Sequence, residues 1–251
     1  MKSVTLSREK IYIGNLVLVN ALCRSAGGTG NNLAPAVPRF PDILMQRDAA
    51  DALQFILDKI SAQNDIVPVS GYRSAEEQRS IFDSSLKENG EEFTRKYVAL
   101  PDHSEHQTGL AIDLGLNQED IDFIRPDFPY EGICDEFRRT APYYGFIERY
   151  AKGKESITGI SHEPWHFRYV GRPHAEIIGE NSFSLEEYIT FIKSYNERNR
   201  YIYHGKGSTA AEVYYVPASG EETEIALPDS LSYQISGNNM DGFIVTVWRD
   251  Q

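Results

Sequence analysis

The sequence predicts an α+β fold: a central antiparallel sheet with helices packed on it, and a small β-rich appendage at the C-terminus. Three observations carry this expectation. Period-two segments alternate with amphipathic segments of helical period through the first two hundred residues. Beyond about residue 200 the texture changes to short β-type runs punctuated by turn residues. Finally, 251 residues at 41% hydrophobic composition suffice for one well-packed domain and a small second one. The expected division is 1–199 for the main domain and 200–251 for the extension.

Each element has its own signal. Residues 12–20, YIGNLVLVN, are rich in Leu and Val and read as a buried strand, followed by the Gly, Asn and Pro-rich loop SAGGTGNNLAPAVPRFP. Leu53, Ile56, Leu57 and Ile60 recur at helical spacing, which predicts an amphipathic helix from Asp48 to Gln63. DIVPVSGYRS is a short strand ending at Gly71. Ser74 then caps a helix, with Glu77 three places on and Gly90 as its stop, so Arg73 falls at the strand-to-helix junction. In SEHQTGLAID a strand starts after Gly109, with Leu110, Ile112 and Leu114 on one face and Ala111 and Asp113 on the other.

DEFRRTAPYYGFIERY reads as a helix broken by Pro142. EPWHFRYVG reads as a strand starting at Trp165, with Glu163 on the preceding loop, His166 and Arg168 on one face and the aromatic residues on the other. SLEEYITFIKSYNERNR is the last helix, capped by Ser184 with Glu187 three positions later. AEVYYVPA, TEIAL, LSYQI and GFIVTVWR are the strands of the appendage. The loops 23–41 and 117–133 are long enough to cover a pocket.

Charge and composition exclude several function classes. A net charge of −12 without a Lys/Arg run argues against nucleic-acid or anionic-membrane partners. No stretch reaches the roughly 20 apolar residues of a membrane span. The segment IYIGNLVLVNALC has some character of a leader, but Gly14, Asn15 and Asn20 interrupt it. Two cysteines, Cys23 and Cys134, are too few for a disulfide framework, and a cytoplasmic protein is the expectation.

The chemistry concentrates around two histidines. His106 and His166 together with Asp113 make two neutral imidazoles and one carboxylate, a set suited to a catalytic zinc ion with its fourth position open. HEPWH, His162 to His166, also satisfies the helical H-E-x-x-H pattern, but Pro164 and the period-two aromatics place it on a strand, so that match is coincidental. Hydrolysis at such a metal needs a base for the attacking water and a cation for the oxyanion, for which Glu163 and Arg73 are the candidates. Arg73 could instead pair with Glu76 or Glu77 at the helix start, and Glu163 could form a rim salt bridge.

SGYRS, the S-x-H-x-x-G-x-A-x-D series of Ser104, His106, Gly109, Ala111 and Asp113, and the E-x-W-H series of Glu163, Trp165 and His166 resemble the signature of the zinc D-alanyl-D-alanine peptidases. This is the VanX, VanY and VanXY group, whose metal-binding relatives reach to phage endolysins and the hedgehog fold. The resemblance spans about residues 12–195 and looks closest to the bifunctional, cytoplasmic VanXY type, including the type that accompanies D-Ala-D-Ser ligation. It implies one catalytic zinc on His106, Asp113 and His166, Glu163 as base and Arg73 as oxyanion stabiliser. It further implies that Ser104, Gln78 and Tyr97 hold the terminal D-residue. Trp165 is a candidate pocket wall, although aromatic residues near strands also serve as core, and a solvent-facing position for Gln78 fits its helix equally well. The implied substrates are D-Ala-D-Ala and peptidoglycan precursors ending in D-Ala, and the implied consequence is vancomycin resistance. Two rival readings are a wall endopeptidase and a non-catalytic zinc-containing binding module.

Overall fold

Residues 2–26, 32–205 and 210–249 are described by the computed structural model; residues 27–31 of the 23–41 loop lie outside them. The chain opens with β1 (Lys2–Ser7). The strand expected at 12–20 does not form. Arg8–Tyr12 is a 3-10 turn, and Gly14 follows at φ +124. Leu16, Val17 and Leu18 are buried, but the Leu16 N–H donates to Ser236 Oγ (2.9 Å) and the Leu18 N–H to the Asn238 carbonyl (3.2 Å). The apolar run thus marks burial, with its backbone donors satisfied outside a strand ladder.

β2 (Leu33–Pro35) and β3 (Leu44–Gln46) pair antiparallel and lead into α1 (Arg47–Lys59), whose apolar stripe is buried as expected. α1 stops short of Gln63 because Ser61 takes a left-handed conformation at φ 58. β4 (Ile66–Ser70) precedes α2 (Ala75–Tyr97). Both hydrogen bonds of the Ser74–Glu77 capping box form, and Gly90 at φ 80 breaks the helix before helical turns resume to Tyr97.

β5 (Ala111–Leu116) is followed by α3 (Gly132–Thr140) and a 3-10 turn around Pro142. The expected helix does not resume after that turn, because Phe146–Tyr150 is a strand, β6. Gly145 makes the change of direction at φ +90, where a Cβ would stand 2.7 Å from the Tyr169 ring. α4 (Glu155–Thr158) precedes β7 (Glu163–Tyr169), which starts two residues earlier than expected and so includes Glu163 and Pro164. α5 (His174–Asn181) and the short α6 (Leu185–Ile192) complete the helices. The last helical run ends before Arg200, where Asn196 and Asn199 bridge each other in a turn. A strand not expected from the sequence follows, β8 (Tyr201–His204), and the four C-terminal runs form strands as expected, β9 (Ala210–Pro217), β10 (Glu222–Leu227), β11 (Tyr233–Gly237) and β12 (Gly242–Arg249).

Two compact units result, Val19–Ser184 and Met1–Leu18 with Leu185–Gln251. In the second, strands run β11-β12-β9-β8, all antiparallel, while β1 pairs with β10, so the two ends of the chain share one unit. Its core gathers Ile11, Tyr214, Ile225, Leu227, Phe243 and Val245.

The Val19–Ser184 unit is built on an antiparallel sheet of order β4-β5-β7-β6. Ile112 and Leu114 of β5 and Trp165 and Phe167 of β7 enter one core with Leu53, Ile56 and Leu57 of α1 and Phe137 of α3. Phe167 is fully buried and meets Phe128 and Phe137 edge-on at ring separations of 5.4 and 5.0 Å. Phe167→Ala is therefore expected to cost about 3–5 kcal/mol, as a denaturant titration reads it.

Candidate metal centre

The face of the sheet opposite that core carries the chemistry. β5 and β7 pair with Ile112 opposite Phe167 and Asp113 opposite His166, so alternation sends the first pair to the core and the second to the other face. His106 arrives on a 3-10 turn, Glu105–Thr108, closed by Gly109 at φ +67. Gly109 is required here twice over. Its backbone is left-handed, and a Cβ would meet Leu33 Cδ2 at 3.0 Å and the Gln46 backbone nitrogen at 3.3 Å. A register shift between Glu148 and Tyr150, opposite the start of β7, interrupts strict alternation, and the Glu163 carboxylate comes within 3.8 Å of His166 Nδ1.

Three side chains then converge. His106 Nδ1 lies 2.7 Å from the Gly71 carbonyl oxygen, which only accepts, so this nitrogen carries the proton and Nε2 presents a lone pair 3.1 Å from Asp113 Oδ2. His166 Nδ1 lies 2.8 Å from Asp113 Oδ1, and the two rings meet edge-on at 5.0 Å. One ligand atom from each of His106, Asp113 and His166 lies within 4.8 Å of the others, and all three residues are buried. Acceptors converging out of water call for positive charge between them, supplied by a proton on His166 or by a metal ion. Two imidazoles and a carboxylate are the donor set of a catalytic zinc site, so the residues present fit that ion.

The ionisation states follow from the same geometry. Burial opposes the charge on Asp113, but the His106 and His166 rings hold its carboxyl far below the usual carboxylate range. Burial and the nearby Arg73 cation press His106 down to about 4. Burial also acts against a charged His166, yet the Asp113 and Glu105 carboxylates outweigh it and lift this ring to about 9. Burial pushes the Glu163 carboxyl up to about 8, with Asp113 adding to the rise.

Arg73 does not pair with Glu76 or Glu77, since the Glu77 carboxylate is taken by the helix cap. Its Nη2 donates to Asp113 Oδ2 at 3.0 Å, its Nε to Ser70 Oγ at 2.8 Å and its Nη1 to Gln78 Oε1 at 3.3 Å. Gln78 is fully buried, which overturns the solvent-facing reading, and its amide donates to the Ala99 carbonyl at 2.8 Å. Ser104, Gln78, Tyr97 and Trp165 all line the cleft above the three metal-binding candidates, joined by Phe123 and Ile124 of the 117–133 loop. Tyr97 and Trp165 pack on the core as well, so each serves both roles. His162 stands apart, 2.7 Å from Tyr130 Oη and 3.5 Å from Glu148, as a coincidental H-E-x-x-H match requires.

Sequence reasoning missed Glu105, Arg149 and Tyr150. Glu105 is buried between Arg149 and Arg168, and the Tyr150 ring lies 4.8 Å from that of His166. The only local signal was the position of Glu105 beside His106, because its two arginine partners lie 44 and 63 residues away in sequence.

Comparison with known proteins shows the family. Residues 42–172 match the VanY family, D-alanyl-D-alanine carboxypeptidase. The chain is 47% identical over 152 residues, 60% of its length and 80% of the relative's, to the bifunctional D-Ala-D-Ala dipeptidase and D-Ala-D-Ala carboxypeptidase VanXYC of Enterococcus gallinarum. It is similar, at 64% identity and a TM-score of 0.97 over 99% of both chains, to the crystal structure of the vancomycin resistance D,D-dipeptidase VanXYg in complex with a D-Ala-D-Ala phosphinate analogue. The E175A mutant of the D,D-pentapeptidase VanY from the VanB-type resistance cassette, in complex with Zn(II), is 29% identical with a TM-score of 0.57, covering 70% of this chain and 98% of that one. With its donor set, its cleft and this agreement over half its length and more, the chain belongs to the VanY family of D-alanyl-D-alanine carboxypeptidases.

Proposed function

We propose that this chain is a zinc-dependent D,D-peptidase that hydrolyses D-Ala-D-Ala and removes the terminal D-Ala of peptidoglycan precursors, and so confers vancomycin resistance. The observation that carries the reading is the convergence of His106, Asp113 and His166, with Glu163 3.8 Å from His166 and Arg73 3.0 Å from Asp113. The relatives above support the substrate class.

His106, Asp113 and His166 would hold one zinc ion, which when bound polarises the scissile carbonyl and acidifies the attacking water. Glu163 takes the water proton as the C–O bond forms and returns it to the amine nitrogen as the C–N bond breaks, releasing D-alanine. Burial raises the proton affinity of the Glu163 carboxyl, so that once ionised it is a stronger base than an exposed carboxylate. Arg73 faces the charge that develops on the carbonyl oxygen; three of its five N–H groups go to Ser70, Gln78 and Asp113, which fixes the guanidinium and leaves two for the oxyanion. Ser104, Gln78 and Tyr97 border the place of the terminal D-residue, and Trp165 forms a wall of the pocket.

A cytoplasmic location is part of the proposal. Supporting it, the thiol of Cys134 is buried outside any disulfide among the described residues, and the leader-like stretch contributes Ile11 and Leu16–Leu18 to buried positions. No helix among the described residues is long and apolar enough to cross a membrane.

The test is release of D-alanine by zinc-loaded protein, with D-Ala-D-Ala and a pentapeptide ending in D-Ala-D-Ala assayed in parallel. Hydrolysis of both, abolished by a chelator and restored by zinc, is the expected result. Release from neither by metal-loaded protein would replace this reading with that of a wall endopeptidase.

A further inference from the structure

Behind His166, on the side away from Asp113, lies a buried group of charges that the proposed chemistry does not use. Glu105 sits next to His106 in the 3-10 turn, and its side chain has no exposed surface. Its Oε1 accepts from Arg149 Nε of β6 and from Arg168 Nη1 of β7, each at 2.8 Å, and both arginines are buried as well. Arg168 follows His166 by two positions on one strand, so the two side chains share a face.

The other carboxylate oxygen is the informative one. Among the described residues Glu105 Oε2 has no hydrogen-bond partner, and neither has His166 Nε2; the two buried atoms face each other at 3.7 Å. Buried polar atoms without partners are rare, and a ring shift of less than about 1 Å would bring this pair to hydrogen-bond distance. A carboxylate present only to neutralise the arginines would have no reason to leave one oxygen aimed at an imidazole.

From these contacts we infer that Glu105, held by Arg149 and Arg168, is a positioning residue for His166: it accepts the Nε2 proton and thereby fixes Nδ1 as the atom presented to the metal. The inference rests on the reading of His106, Asp113 and His166 as metal ligands. The arginines make the arrangement rigid, because both donate to Oε1 and so hold Oε2 on the ring side. Two arginine donors on one oxygen also favour the carboxylate over the carboxylic acid, so Oε2 faces the ring as an acceptor. The Tyr150 ring, 4.8 Å from the imidazole, restricts the ring's rotation from the flank. Carboxylate partners of metal-binding histidines orient the ring and raise its basicity as a ligand.

Zinc affinity of the intact chain, measured by chelator competition, tests this with Glu105→Gln. The variant is expected to bind zinc about 10–100-fold more weakly than the wild type. Affinity equal to wild type in a folded variant overturns the role of Glu105 alone, whereas absence of zinc binding by the wild type removes the metal reading on which it stands. Loss of the carboxylate also strips two buried arginines of a partner, so a second measurement uses unmodified sequence. In 15N-labelled wild type loaded with 113Cd, coupling to Nδ1 of His166 and a retained proton on Nε2 are expected. Coupling to Nε2 instead overturns the proposal whether or not the variant folds.

Discussion

Replacing Glu163 by glutamine is expected to leave zinc bound while kcat for D-Ala-D-Ala falls by about 10²–10⁴-fold, the range for loss of a positioned proton-transfer group. The three ligand candidates are His106, Asp113 and His166, and the substitution replaces none of them. A stability measurement separates this from structural damage. Burial raises the Glu163 carboxyl from its ordinary 4.5 to about 8 in the metal-free protein. The folded state then binds the proton more tightly than the unfolded state. The stability this contributes is fully present below pH 4.5 and is lost as pH rises through 8. Glutamine is neutral throughout and lacks that loss, so metal-free Glu163→Gln at pH 7 should melt no lower than wild type. A variant that keeps wild-type kcat with zinc bound would remove Glu163 from the reaction.

That a candidate base, Glu163, could be named from sequence, and that its strand could not be delimited, has one physical origin. Alternation along β5 and β7 is a local property of the backbone, so Asp113, His166 and Arg168 could be assigned to one face before any pairing was known. The helix cap was equally local: Ser74 and Glu77 satisfy each other's backbone donors within one turn. Errors arose where the decisive partner is distant. The run Phe146–Tyr150 carries an apolar pattern compatible with helix or strand, and its pairing with β7 decides. Leu16–Leu18 looked like a strand because they are apolar, yet their donors go to Ser236 and the Asn238 carbonyl, more than two hundred positions on. Glu105 was invisible as part of the site for the same reason, since Arg149 and Arg168 come to it only through the sheet. For Gln78 two readings stayed open, cleft and solvent, for a different cause. The buried positions of this mostly exposed helix, Gln78, Ser85 and Thr94, are all polar and leave no apolar periodicity to read, and the burial of Gln78 follows from Arg73 and the Ala99 carbonyl.

Arg73→Lys is expected to lower kcat by about 10²–10³-fold, the cost of losing one preorganised donor to an oxyanion. The charge is preserved, but the fork is not. Ser70, Gln78 and Asp113 are met by three different nitrogens of one planar group, and a lysine ammonium on a flexible stem cannot hold all three while still facing substrate. Zinc affinity gives the control. Arg73 Nη2 lies 3.0 Å from Asp113 Oδ2, so its positive charge opposes a cation on that carboxylate. Removing the charge altogether with Arg73→Ala should therefore leave zinc binding as tight as in wild type or tighter, while hydrolysis is lost. The opposite pattern, weak zinc with wild-type kcat once the ion is saturating, would make Arg73 an anchor for Asp113 and leave the oxyanion to other donors. The two patterns are read from the same pair of titrations, and they diverge because Arg73 touches the carboxylate of the candidate ligand Asp113 with one nitrogen, while the proposed role uses the N–H groups that remain.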